Sequence, residues 1–363
     1  MVPIPSGDAR ERDLLTAALR VGDEIDDEVA MVISTSGTTG LPKGAMLTSA
    51  ALVASASATH ARLGGPGSWL LALPSHHIAG MQVLVRSLLA GTVPTELDLS
   101  DGFDPAALPA AVSEMGGGRR YTSLVAPQLA RALTDPSATA ALAELDAVLL
   151  GGGPSPPSLL EAAARAGVNV IRTYGSSETA GGCVYDGVPL EGVTVRIDAP
   201  TAEGTGRIGV GGPTLAKGYR NPCTPDPFAE TGWFITDDVG ALDDSGRLRV
   251  IGRLDDAISS GGLTVMPGPV EAVLAQHPAI AECAVLGVDD DHLGQRVVAA
   301  VVLRARMPAP TLAEVRDFVA LSLDRTAAPR EVHVVDRLPR RGIGKIDRRA
   351  LHAMVGDGGH APG

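Results

Sequence analysis

The chain has 363 residues, enough for two domains or three. Its 30 lysines and arginines face 42 acidic residues, a formal charge of −12, which argues against a general nucleic-acid binder. Aromatics at 3% leave too few rings for a base-stacking platform, and 45% hydrophobic residues are enough for sizeable cores, so disorder is not the expectation.

The first thirteen residues lack the basic start and apolar core of a secretory signal, and no apolar run approaches the ~18–20 residues of a membrane span. Cys183, Cys223 and Cys283 are odd in number and far apart, forming neither a CxxC pair nor a disulfide framework. A cytoplasmic, reducing setting is the simplest expectation.

Along the chain, Ala30–Ser34 reads as a strand, residues 35–44 as a Gly/Thr loop, and Leu47–Leu63 as an Ala-rich helix. Trp69–Leu73 is strand-like and Gly80–Leu89 helical. Tyr121–Val125, Ala147–Leu150 and Val168–Thr173 read as buried strands separated by Ala-rich helices. Strand and helix in alternation predict an α/β domain with a mainly parallel sheet. From Val188 to Val250, short strands between Gly, Pro and Asp turns predict a β-rich subdomain. Beyond it, helices near Pro269–Ala275 and Ala313–Leu323 and strands near Ala281–Gly287, Val297–Val302 and Glu331–Val335 predict a small α+β unit. The expected division is 1–254 and 255–355, with a flexible Gly-rich tail at 356–363.

Lysine occurs only at Lys43, Lys217 and Lys345, against 27 arginines. Where arginine serves nearly every cation role, a surviving lysine marks a place where a compact point charge is needed. Lys43 ends the run Ser34-Thr35-Ser36-Gly37-Thr38-Thr39-Gly40-Leu41-Pro42-Lys43-Gly44. Small residues let backbone N–H groups approach an anion, and the hydroxyls and Lys43 add donors and charge, so a phosphate loop is expected. It is not a Walker A loop, because Pro42 and Gly44 occupy positions where that motif needs Gly and Ser/Thr. Gly204-Thr205-Gly206-Arg207-Ile208-Gly209 satisfies GxGxxG but lies among short strands with no following helix, and reads as a turn. His76-His77 has no partner cluster for a metal.

The loop resembles the signature of the adenylate-forming superfamily, which includes acyl-CoA synthetases, luciferases and peptide-synthetase adenylation domains, and the resemblance continues downstream in order. Gly151-Gly152-Gly153-Pro154 resembles the glycine-rich adenine-side loop. Tyr174-Gly175-Ser176-Ser177-Glu178-Thr179 resembles the element in which the tyrosine stacks on adenine, the hydroxyl faces the α-phosphate and the glutamate holds Mg²⁺. Trp233 to Asp238 resembles W-x-x-T-G-D, which gives Asp238 the ribose and leaves Asp237 where the family has glycine. Gly252-Arg253-Leu254-Asp255-Asp256 resembles the hinge, with Arg253 on ribose or phosphate and Asp255 absorbing a domain rotation. Arg341 to Arg348 resembles the C-terminal loop of the catalytic lysine, here Lys345.

Within the superfamily, Leu73-Pro74-Ser75-His76-His77-Ile78-Ala79-Gly80 with Arg86, and Ile258-Ser259-Ser260-Gly261-Gly262, resemble the o-succinylbenzoate–CoA ligases of menaquinone biosynthesis. Pro269 stands where those relatives carry a glutamate, and fewer residues precede the phosphate loop than in ordinary members. The resemblance implies an AMP-forming acid–thiol ligase taking ATP, CoA and an aromatic dicarboxylic acid, with Mg²⁺ as cofactor. It implies Lys345 and Glu178 as catalytic residues and Thr35, Ser36, Gly37, Thr38, Thr39 and Lys43 on the phosphates. His77 and Arg86 would face the acid, and Ser259, Gly261 and Gly262 would face CoA. A ligase for another acid and a nucleotide-binding homologue without turnover stay open, as does a monomer against a homodimer.

Overall fold

The computed structural model describes residues 1–4, 9–35, 42–341 and 345–356. After helix α1 (Ala9–Ala18), strands β1 (Val29–Ile33) and β2 (Ala45–Thr48) form an antiparallel ribbon in which Ile33 pairs with Ala45. The predicted phosphate loop is therefore the connection of a ribbon. The predicted helix Leu47–Leu63 starts later, because Leu47 pairs with Met31 and the chain stays extended to Thr48. The Thr48 hydroxyl accepts from the Ala51 N–H at 3.0 Å and caps α2 (Ser49–Arg62), satisfying one of the free donors of its first turn.

The main sheet is built from β3 (Ser68–Leu71), then α3 (Ile78–Ala90), β4 (Thr95–Glu96), α4 (Leu108–Glu114) and β5 (Arg120–Val125). It continues through α5 (Ala126–Ala132), α6 (Pro136–Ala143), β6 (Ala147–Gly151), α7 (Pro157–Arg165), β7 (Val170–Ser176), β8 (Gly181–Tyr185) and β9 (Val188–Pro189). Strand order is β4-β3-β5-β6-β7-β8-β9, parallel from β4 to β7 and antiparallel beyond. Trp69–Leu71 of β3 and Ala147–Leu150 of β6 are continuous buried apolar runs because both faces of this sheet are covered. One core cluster joins Leu70, Leu124, Val148 and Leu150 to α4, α5 and α6. A second joins Trp69, Tyr121, Leu149 and Tyr185 to Ile208, Val210 and Leu248 of the β-rich part.

That part is an antiparallel sheet of β10 (Thr194–Asp198), β11 (Gly206–Gly211), β12 (Trp233–Leu242) and β13 (Leu248–Arg253) in chain order. The GxGxxG run lies in the β10–β11 hairpin, as its surroundings predict. The last unit holds β14 (Ile258–Ser260), β15 (Leu263–Val265), α8 (Pro267–Leu274), β16 (Ile280–Asp290), β17 (Gly294–Leu303), α9 (Leu312–Ala320) and β18 (Glu331–Val334). Val270, Leu274, Val315 and Val319 of α8 and α9 cover one core of its five-stranded sheet. Leu351 and Val355 of α10 (Arg348–Gly356) cover another, after the hairpin of β19 (Arg340–Arg341) and β20 (Lys345–Ile346). The result is a large α/β unit with a β-rich subdomain and a small α+β unit.

Candidate active site

β7 ends in the motif Tyr174 to Thr179, and its backbone explains the glycine. A Cβ at Gly175 would overlap the carbonyl of Gly181 on β8, so only glycine lets the two strands pair there. A single 3₁₀ turn, Ser177–Thr179, then turns Glu178 inward, where it is only 8% exposed. Ala180 follows in the left-handed region (φ 50°), and its carbonyl accepts from Ser55 Oγ at 2.9 Å and Gln82 Nε2 at 2.8 Å. Those two bonds hold the strained residue in place.

On the β12 side, the Tyr174 hydroxyl donates to Asp238 Oδ2 at 2.8 Å. Burial, and then the adjacent Asp238 charge, push the phenol well above its usual range. Burial also raises the Asp238 carboxyl, against the Tyr174 hydrogen bond and the Arg253 charge. Arg253 donates to both oxygens of Asp255 (2.8 and 2.9 Å) and lies 3.4 Å from Asp238 and 3.8 Å from Asp237. The hydrogen bond to Asp255 raises the guanidinium further. Asp237, where the family has glycine, continues β12 and pairs with Arg207 at 3.1 Å, so no glycine turn is formed. The residues expected at adenine, ribose and hinge thus form one hydrogen-bonded chain from Tyr174 to Asp255.

Gly151 ends β6 against Thr173 Oγ1, and Gly152 has φ 80°, which turns the chain toward Pro154 at the carboxyl end of the sheet. That end, outside the strand termini, is where open α/β sheets bind ligands. Ser36, Gly37, Thr38 and Thr39 lie outside the described residues. Thr35 and Lys43 flank them. The Thr35 hydroxyl and the Ser176 hydroxyl are both buried, with no hydrogen-bond partner among the described residues. Lys43 Nζ sits 5.2 Å from the ring centroid of Tyr219. Tyr219, which carries no motif of its own, donates to Glu178 Oε1 at 2.6 Å.

His77 stands at the start of α3 with its ring 4.3 Å from that of His76. The next residue, Ile78, packs beside Gly181, the partner of Ser176. His77 is pushed down to about 4, first by burial and then by the charges of His76 and Lys345. Lys345 opens β20, opposite Arg341; residues 342–344 lie outside the described set. Arg86 is eight residues along α3, about 12 Å further down the helix. It is 3% exposed, lies 4.8 Å over Trp69, and its Nε has no hydrogen-bond partner among the described residues. Burial lowers its pKa.

The Ser259–Gly262 segment is a hairpin corner. Gly261 (φ 60°) and Gly262 (φ 80°) form the two-residue turn between β14 and β15, a left-handed conformation at both positions that favours Gly, Asn or Asp. The Ser259 N–H donates to Gln295 Oε1 at 3.0 Å. At the start of α10, just beyond β20, Arg348 bridges Asp256 of the 3₁₀ turn after β13 (3.1 Å) and Glu271 of α8 (3.3 Å).

A metal at this site fits a single buried carboxylate beside phosphate oxygens, which is how Mg²⁺ is usually held. Glu178 Oε2 accepts no hydrogen bond among the described residues, and no group of three or more metal-type side chains occurs among them. No helix among the described residues is long and apolar enough to cross a membrane.

The family described as AMP-binding enzyme matches residues 7–220, and its C-terminal domain matches residues 269–345. A probable 2-succinylbenzoate–CoA ligase of Mycobacterium tuberculosis is 65% identical over 353 residues, 97% of this chain and 90% of that protein. The o-succinylbenzoate CoA synthetase of Bacillus subtilis in complex with the acyl-adenylate intermediate OSB-AMP superposes with TM-score 0.76 at 31% identity, covering 90% of this chain and 69% of that one. The same enzyme with ATP and magnesium ion gives 0.74 at 31%, covering 91% and 72%. With both parts of the family matched in order along one chain, this protein belongs to the AMP-binding, adenylate-forming enzymes, in their branch of 2-succinylbenzoate–CoA ligases.

Proposed function

We infer that the chain is an AMP-forming acid–CoA ligase that converts ATP, o-succinylbenzoate and CoA to o-succinylbenzoyl-CoA, AMP and pyrophosphate. The observation that carries this reading is the hydrogen-bonded chain Tyr174–Asp238–Arg253–Asp255, with the buried Glu178 four residues beyond Tyr174 in the same motif.

In the first half-reaction a carboxylate oxygen of the acid bonds to the α-phosphorus of ATP, and the bond to pyrophosphate breaks. A carboxylate is already a competent nucleophile, so positioning and charge neutralisation are what the chain must supply. Tyr174 would face adenine, Asp238 and Arg253 the ribose, and the Gly151–Pro154 turn the adenine side. Thr35, Lys43 and Ser177 would face the phosphates. Glu178 would hold Mg²⁺, which offsets phosphate charge when bound. Lys345 would reach the carboxylate and α-phosphate oxygens.

The acid has a second carboxylate. Arg86 suits it, because a buried guanidinium without a described counter-ion is costly unless an anion completes it. His77, neutral above about pH 4, can line the acid pocket without adding charge. In the second half-reaction the CoA sulfur bonds to the acyl carbon, the thiol proton leaves to solvent, and the bond to AMP breaks. Rotation of the small domain about Asp255 would withdraw Lys345 and present the Ser259–Gly262 corner to CoA.

The test is mass spectrometry of products from protein, ATP, Mg²⁺, CoA and a panel of acids. Formation of o-succinylbenzoyl-CoA in preference to benzoyl, succinyl and fatty thioesters supports the reading. A thioester of another acid alone would keep the chemistry and reject the substrate. AMP and thioester from none would reject both.

A further inference from the structure

The neighbour of Glu178 belongs to a segment that the reaction scheme leaves without a role. Residues 217–221 run alongside the stretch that follows the phosphate loop. The Lys217 N–H donates to Met46 O at 2.9 Å, Met46 N–H to Gly218 O at 3.0 Å, Arg220 N–H to Gly44 O at 2.8 Å and Asn221 N–H to Lys43 O at 2.9 Å. Asn221 Nδ2 also donates to Pro42 O at 2.8 Å. The far side of the segment is anchored as firmly. Arg220, 9% exposed, donates to Glu24 O at 2.7 Å and to Leu19 O at 3.4 Å, and Lys217 pairs with Asp26 and Glu28. The Ala216 N–H donates to the Glu178 carbonyl at 2.8 Å, which joins the segment to the β7 motif as well.

Tyr219 stands in the middle of this brace. Its ring meets Phe228 edge-on at 5.5 Å and lies under Lys43 at 5.2 Å, and its hydroxyl ends on Glu178 Oε1. We propose that Tyr219 is a positioning residue that fixes Oε1 of the metal-binding carboxylate and ties Glu178 to the end of the phosphate loop. The inference rests on the reading of Glu178 as the Mg²⁺ carboxylate. With Oε1 accepting from Tyr219, Oε2 is the oxygen with no hydrogen bond among the described residues, and a cation would meet Glu178 held in one orientation. Tyr219 is the donor of this bond because an ordinary phenol carries its proton near neutral pH, whereas a carboxylate only accepts. Outer hydrogen bonds that orient a metal-binding carboxylate typically carry about 10- to 100-fold in metal affinity.

The test compares wild type, Tyr219→Phe and Glu178→Gln by titrating Mn²⁺ into protein with a non-hydrolysable ATP analogue, read by electron paramagnetic resonance, and by titrating AMP without metal. Phenylalanine keeps the ring against Phe228 and Lys43 and removes only the hydroxyl. The expected result is Mn²⁺ affinity about 10-fold weaker in Tyr219→Phe, lower still in Glu178→Gln, with AMP affinity within about twofold of wild type in both. Unchanged Mn²⁺ affinity in Tyr219→Phe, with Glu178→Gln impaired, overturns the role of Tyr219 and leaves Glu178 in place. Equal loss of Mn²⁺ and AMP binding in Tyr219→Phe also overturns it, since that marks a general support of the site. Unchanged Mn²⁺ affinity in Glu178→Gln overturns the reading of Glu178 and this inference with it.

Discussion

His77 reports on whether the two parts of the molecule meet. Its imidazole is held down to about 4 by burial first, then His76 and Lys345. Removing the Lys345 charge should therefore raise it, and an NMR titration of the His77 ring in Lys345→Gln against wild type should show an upward shift. An unaltered titration would mean that the lysine hairpin does not close on α3 in solution. The same depression has a stability sign. Between about pH 4 and 6.5 the unfolded chain binds more protons at this position, so stability falls as the pH drops through that window. A neutral His77→Gln chain should lose less stability than wild type over it, measured by urea unfolding. At this scale Lys345, Glu178, Asp238 and Arg253 could be proposed from the sequence because each stands inside a motif and the motifs follow in order. Tyr219 was not, since a tyrosine between Gly218 and Arg220 has no pattern, and only the folded chain brings it to Glu178.

Among elements, β3 and β6 of the parallel sheet were plain in the sequence because coverage on both faces makes Trp69–Leu71 and Ala147–Leu150 continuous apolar runs. β12 was hidden. Asp237 and Asp238 interrupt its alternation, and both carboxylates face arginines at the middle of the strand. The start of α2 was misplaced because Ala and Leu on either side of Thr48 read alike, and pairing with β1 decides that Leu47 is strand. The β7–β8 pair yields a sharper expectation. In Gly175→Ala the new methyl meets the Gly181 carbonyl, so the strands must part where Glu178 begins its turn. The cost should be roughly 1–3 kcal/mol in chemical denaturation, with adenylation impaired beyond what stability explains. Wild-type stability in that variant would contradict the register.

At the scale of the whole molecule, the hydrophobic clusters draw on residues up to Leu248 or from Ile258 onward, and the chain between them carries Arg253, Asp255 and Asp256. The small-unit side of this crossing is braced by Arg348, while Arg253 reaches back to Asp238. The sequence led to the expectation of two units joined at a hinge motif, but not of the orientation they take. Ion pairs between residues as distant as Asp256 and Arg348 leave no local signal. A proline at Asp255, in the 3₁₀ turn Leu254–Asp256, fixes a dihedral that a rotation must change. Asp255→Pro should therefore lose more in thioester formation than in adenylation, followed as pyrophosphate release against CoA thioester, and equal losses would count against a hinge.

The most direct test of the account is a comparison of the two half-reactions in Lys345→Ala, one started from ATP and o-succinylbenzoate, the other from preformed o-succinylbenzoyl-adenylate and CoA. The account predicts that adenylation falls by about 100-fold or more, because a charge aimed at the transition state is gone, while thioester formation from the adenylate stays near wild type. Adenylation at the wild-type rate, or loss confined to the thioester step, would contradict it.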